Sequence, residues 1–220
     1  KDTEKEIFNL NDTIGGRLNL ATSHHIGLHR LAPVLKDFSK RYPDVQLNIQ
    51  FEDSEVAYQM VRSGQVELAV VTLNPDQTEL DADLIAAAVW HDPLVFVSSA
   101  AKTKAATMQT LASEPCILPG LATYTGRIVM HRFAQAGLAL KPTLSTNYLE
   151  TIGMLVSVGL GWSVLPHSMV GDLTALDVDC EPIYRTLGSV INDKRTLSNS
   201  ATAFLSVLEG YVCTDIDLFD

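Results

Sequence analysis

Five consecutive apolar or small residues, Leu68-Ala69-Val70-Val71-Thr72, constrain this chain more than any other feature. A run this short cannot cross a membrane or form a long helix, and it has no polar face. It reads as a strand covered on both sides, the situation of a strand inside a parallel sheet. What precedes it agrees. Val45, Leu47, Ile49 and Phe51 alternate with Gln46, Asn48 and Gln50, the period of a strand with one polar face. Between the two runs, Ser54 is placed to cap a short helix over about 55–63, and Gly64 is placed to stop it. Further upstream, Arg17–Thr22 (RLNLAT) alternates as a first strand. Leu28, Leu31, Leu35, Phe38 and Tyr42 then recur at helical steps, which predicts one helix over 28–42 with Pro33 in its first turn. Strand, helix, strand, helix, strand is the signature of a doubly wound α/β sheet with right-handed crossovers.

The pattern resumes downstream. A strand is predicted at 94–99, a short helix at Thr107–Ala112, and a brief strand at Cys116–Leu118. Thr125 is placed to cap a helix over 126–136 that ends at Gly137. Thr143–Thr146 reads as a strand and Tyr148–Val158 as a helix ended by Gly159 and Gly161. WSVLP (162–166) follows as a strand, and a last helix spans 197–210. Two βα clusters separated by the acidic stretch Asn74–Asp83 imply two lobes.

Composition limits the partners. The 220 residues are 46% hydrophobic and 19% charged, an ordinary globular balance, with a formal net charge of −10. Such a surface repels phosphate, so this chain is a poor candidate for touching DNA itself. Cys116, Cys180 and Cys213 are odd in number and lie in no metal-ligand or redox spacing, which implies a reducing compartment. No apolar run approaches membrane-spanning length, and the charged N-terminal segment lacks the apolar core of a signal peptide. The expected location is the cytoplasm, with no membrane partner, no cofactor and no metal. The nucleophile-elbow, P-loop and dinucleotide fingerprints are absent, so no enzyme class is favoured.

Ligands of open α/β sheets sit beyond the carboxyl ends of strands, beside helix N-termini that favour anions. Thr22-Ser23-His24-His25 occupies the first such place. Ser23 reads either as a helix cap or as a ligand donor, and His25 as a donor to a carboxylate. Adjacent side chains rarely chelate one ion, so the His pair does not suggest a metal. Thr72 reads either as a strand-end cap or as a donor to ligand. Arg127 reads either as a carboxylate partner or as an exposed first-turn residue.

Several segments together resemble the effector-binding domain of LysR-type transcriptional regulators. GRLNLATSHH followed by LHRLAPVLKDFSKRYPDVQLNIQ is similar to the opening of that domain, SEVAYQMVRSGQVELAVVT to its next helix and strand, and ETIGMLVSVGLGWSVLP to a late helix, Gly-x-Gly turn and strand. The resemblance covers about residues 14–210. It implies two Rossmann-like lobes with type-II periplasmic-binding-protein topology and a ligand cleft between them. Lobe I would comprise 14–92 and 188–217, lobe II 93–187, and residues 1–13 the remnant of a linker helix. The implied ligand is a small anionic metabolite, a carboxylate in the first instance. Its contacts would be Ser23, His25, Thr72 and Thr125, with Thr22, His24, Ile26, Gly120, Thr123, Arg127 and Thr151 around them. The Thr125-Gly126-Arg127 run resembles the ligand-contacting segment of members that regulate cysteine biosynthesis. The family also implies a homodimer of effector domains, helix 28–42 against helix 126–136 of the partner, and a tetramer of the full-length protein. DNA would be met only through an N-terminal winged helix-turn-helix that is not in this chain. The rival reading with the same lobes is a periplasmic type-II solute-binding protein.

Overall fold

The computed structural model describes residues 14–76, 82–100 and 104–212; the expected linker remnant, part of the acidic stretch 74–83, Cys213 and residues 214–217 lie outside them. The chain divides into two compact units, one running to His91 and resuming at Thr186, the other Asp92–Arg185. The chain therefore passes from one unit to the other within two long strands, Leu84–Ser98 and Ile183–Asn192.

In the first unit, strand Gly16–Thr22 pairs in parallel with Val45–Phe51, in register from Gly16 opposite Val45 to Thr22 opposite Phe51. On its other side it pairs in parallel with Leu68–Thr72, Leu20 opposite Leu68. All five residues of Leu68–Thr72 are buried, as a strand flanked on both faces must be. Its other neighbour is antiparallel, Leu187 opposite Thr72 through Ile191 opposite Leu68. The sheet is thus mixed: three parallel strands are followed by the returning strand, which runs antiparallel to Leu68–Thr72.

Two helical expectations change. The stretch predicted as one helix over 28–42 is two, His24–His29 and Leu31–Arg41, broken at Arg30 with φ −117° and ψ −40°. Pro33 causes the break: it has no N–H to return to His29, and its ring would crowd that carbonyl in a continuous helix. Leu28, counted on the apolar face, is exposed, whereas Leu31, Val34 and Phe38 are fully buried. Ser54 does not cap its helix. Asp53 holds the capping position of helix Ser54–Ser63, and Gly64 ends it at φ +74° as its lack of Cβ permits. The core of this unit joins Leu18, Leu20, Ile26, Phe38, Leu68 and Val70 to Phe204, Val207 and Leu208 of helix Asn199–Glu209. Ser198 caps that helix by accepting from Ala201 N–H at 3.1 Å.

In the second unit, Leu94–Val97 pairs antiparallel with Ser163–Pro166, and Ile117–Leu118 pairs in parallel with Leu144–Ser145. One core gathers Phe96, Leu118, Val129, Phe133, Trp162 and Val164; a second gathers Ile117, Leu149, Ile152, Val156 and Leu165. Trp162 stacks on Phe133 at 5.6 Å and donates its indole N–H to Leu111 O at 2.9 Å. The predicted helix 126–136 begins earlier, at Tyr124, and runs to Gln135 with Thr123 as its cap. Thr125 is therefore inside the helix rather than at its cap.

Candidate functional site

In the first unit the candidate residues lie at the carboxyl ends of two adjacent parallel strands. Thr22 is buried and donates its hydroxyl proton to Val70 O at 2.7 Å, so it fastens one strand to the next. Ser23 sits at the capping position of helix His24–His29 without a capping bond; its Oγ lies 3.5 Å from His25 Nδ1. His25 is buried and His24 exposed, the latter with its ring 6.2 Å from Phe51. The two imidazoles thus have different surroundings, and among the described residues no His, Cys, Asp and Glu side chains gather as a metal site. The Ile26 side chain belongs to the core, which leaves only its backbone for a ligand.

Thr72 is buried at the end of its strand, and its backbone N–H donates to Ser54 Oγ at 3.1 Å. Ser54 is buried too, and its hydroxyl serves this strand end instead of the helix it opens. That role is invisible to a reading that sees only a Ser ahead of a helical run.

In the second unit the candidates cluster around the start of helix Tyr124–Gln135. Thr123 donates its hydroxyl proton to Gly120 O at 2.7 Å and accepts from Gly126 N–H at 3.1 Å. Gly120 N–H donates to Asn147 Oδ1 at 2.9 Å. A Cβ on Gly126 would lie 2.4 Å from Gly120 O, so this glycine lets the Pro119–Gly120 loop rest on the helix. Arg127 has its guanidinium 4.9 Å from the centre of the Tyr124 ring, a cation–π contact. Thr151 is half-buried on helix Leu149–Ser157.

The least anticipated group surrounds Thr125. This hydroxyl accepts a hydrogen bond from Arg185 Nη1 at 3.2 Å. Arg185 also donates from Nε to Asp92 Oδ2 at 2.9 Å, and from Nη2 to the same oxygen. Both side chains of this pair are almost wholly buried, 1% and 3% exposed. Asp92 and Arg185 are the first and last residues of the second unit. A signal for them does exist in the sequence. Asp92 shares parity with buried Leu94 and Phe96, and Arg185 with buried Ile183 and Leu187, so each charge stands where the strand period calls for an apolar residue. Pro93 and Gly188 obscure both strands to a reading by propensity.

A family model described as "LysR substrate binding domain" matches residues 11–212. The HTH-type transcriptional regulator CysB of Haemophilus influenzae is 31% identical over 173 residues, covering 74% of this chain and 50% of that protein. An uncharacterised HTH-type regulator of Bacillus subtilis, YcgK, is 25% identical over 232 residues, covering 94% of this chain and 70% of that protein. The chain thus spans half to about two-thirds of these relatives. Among solved structures, the effector-binding domain of QuiR in complex with shikimate superposes with a TM-score of 0.79 at 16% identity, over 90% of this chain and 97% of that one.

Proposed function

This chain belongs to the LysR substrate binding domain family, and from that premise we propose that it is the small-molecule sensor of a transcriptional regulator whose DNA-reading part lies outside these residues. The family and the relatives named above are regulators rather than enzymes or solute carriers. The proposed effector is a small anion, a carboxylate in the first instance. The observation that carries this is a set of hydroxyl and amide groups at strand ends and at one helix start, on a chain of net charge −10. An acidic protein can hold an anion only where local dipoles and donors outweigh the overall repulsion. That a QuiR domain is described with shikimate, itself a carboxylate, supports the same chemistry.

The proposed contacts are Ser23, His25 and Thr72 from the first unit and Thr125 from the second. Ser23 makes no capping bond, which weakens its reading as a cap, whereas Thr22 has its hydroxyl committed to Val70. Effector binding acts by population shift, and only a difference in affinity between two conformations moves the equilibrium. The full-length protein is proposed to be cytoplasmic and to assemble through its effector domains as a dimer and then a tetramer. No helix among the described residues is long and apolar enough to cross a membrane.

The test is a thermal-shift screen of small carboxylates, phosphates and sulfate, followed by calorimetry on Ser23→Ala and Thr125→Ala. A ligand that binds only the folded state raises the melting temperature by mass action. Each variant is expected to weaken the best hit by about tenfold, the worth of one hydrogen bond to a charged group. Unchanged affinity in both would show that the contacts are elsewhere.

A further inference from the structure

We propose that the buried Asp92–Arg185 pair is a positioning device for the Thr125 hydroxyl, fixing it as a donor and so making the second unit selective for an anionic acceptor. The inference rests on the reading of Thr125 as an effector contact and adds the group that governs how that contact works.

The chemistry starts from donor and acceptor counts. A guanidinium only donates, and a hydroxyl has one proton to give and two lone pairs to accept with. Arg185 Nη1 occupies a lone pair of Thr125 Oγ1 at 3.2 Å. A cationic donor on the oxygen polarises the hydroxyl and turns its own proton away from the guanidinium. The side chain left to meet a ligand is then a strengthened donor. It suits a carboxylate, sulfate or phosphate oxygen better than an ammonium or amide N–H, which would have only the remaining lone pair, weakened by the cationic donor, to bond to.

Asp92 makes this arrangement rigid. Its Oδ2 takes both Nε and Nη2 of Arg185, which orients the guanidinium plane and aims Nη1 at Thr125. Thr125 is itself β-branched, buried and in the first turn of a helix, so its own rotamer freedom is small. The pair carries no net charge. The effector would therefore meet an oriented dipole here instead of a second buried cation needing its own counter-ion.

Simple stability is a weaker explanation of the pair. Two opposite charges at core-parity positions are an expensive way to join two strands, since apolar residues of similar volume commonly do as well. An apolar pair, however, has no donor to give Thr125.

The experiment uses calorimetric titration of the chain with succinate, inorganic sulfate and the neutral analogue succinamide. Four variants are compared: Thr125→Ser, Thr125→Val, Arg185→Lys, and the double variant Asp92→Leu/Arg185→Met, which removes both charges and retains volume. Thr125→Ser is expected to bind anions within about threefold of the parent, and Thr125→Val to lose about tenfold. The double variant is expected to lose about tenfold as well, and its preference for succinate over succinamide should fall. A merely structural lesion would weaken both ligands alike and leave that preference unchanged. Arg185→Lys retains the ion pair but replaces the planar fork with a point charge, and should lower the preference too; it carries the test if the double variant does not fold. If Thr125→Val loses affinity while the double variant and Arg185→Lys retain both affinity and preference, Thr125 is a contact but the positioning role is wrong. If Thr125→Val is also unchanged, or the parent binds neither anion, the reading of the contact itself fails and the inference with it.

Discussion

Replacing Gly126 with alanine sets two effects of opposite sign against each other at one site. In an unobstructed helix the substitution is stabilising, because glycine is about 1 kcal/mol poorer than alanine. At this position the new Cβ would sit 2.4 Å from Gly120 O, and 3.1 Å from both Gly120 C and Pro119 O. The first distance is well inside the 3.0 Å that Cβ atoms essentially never cross, and the obstruction is backbone, which cannot rotate away. Overpacking of this kind costs roughly 1–3 kcal/mol, more when backbone must move. The first turn recovers little helix propensity, so the net should be a destabilisation of about 1–2 kcal/mol, or a fall in melting temperature of roughly 2–8 °C for a chain of this size. Gly153 is the internal control. It too lies within a helix, but its added Cβ would meet Leu165 Cδ1 at 3.6 Å, an ordinary contact. Gly153→Ala should therefore raise the melting temperature by about 1–4 °C. Scanning calorimetry of the two variants reads the opposite signs directly. A stabilised Gly126→Ala protein would mean that the Pro119–Gly120 loop does not rest on this helix, and the geometry described around Thr123 would have to be abandoned.

Two further outcomes follow from single contacts. Burial raises the Cys116 thiol to about 11, so over pH 9 to 11 the unfolded chain loses this proton while the folded chain retains it. Stability should then fall with rising pH across that window, and Cys116→Ala should flatten that part of the denaturation profile measured in urea. An unchanged slope in the variant would refute the assignment. Thr22→Val removes a buried hydroxyl that donates to Val70 O at 2.7 Å while leaving the shape of the side chain. It should cost about 1–2 kcal/mol in urea denaturation, since the carbonyl of a neighbouring strand loses a partner. Effector affinity should stay within about twofold; a large loss there with full stability would make Thr22 a contact rather than a fastening.

Much of the frame was legible because the signals that specify it are local. The alternation of Val45–Phe51, the apolar run Leu68–Thr72 and the apolar positions of helix Leu149–Ser157 each fall within one element, and the observed elements match them. Gly64, at φ +74°, and Gly137, at φ +72°, mark helix ends for the same reason: a left-handed residue is a local requirement. The family resemblance drew on the order and spacing of such segments, and so did not need any contact distant in sequence.

Capping and polar partnership were less legible. Position ahead of a helical run makes Ser54 and Thr125 candidate helix caps. The structure gives those positions to Asp53 and Thr123, while Ser54 serves the end of strand Leu68–Thr72 and Thr125 accepts from Arg185. A hydroxyl near a helix start has several acceptable partners, and sequence proximity favours the nearest one even when another strand supplies a better one. Asp92 and Arg185 show the same limit most clearly. By itself the sequence shows only that Asp92 shares parity with the apolar residues of the strand predicted at 94–99, and it predicts no strand at Arg185. Only the tertiary structure decided that these two, 93 residues apart, satisfy one another and bring Thr125 into the same group. The reason is physical: hydrophobic periodicity is written along one strand, but the neutralisation of a buried charge depends on which other strand is folded beside it.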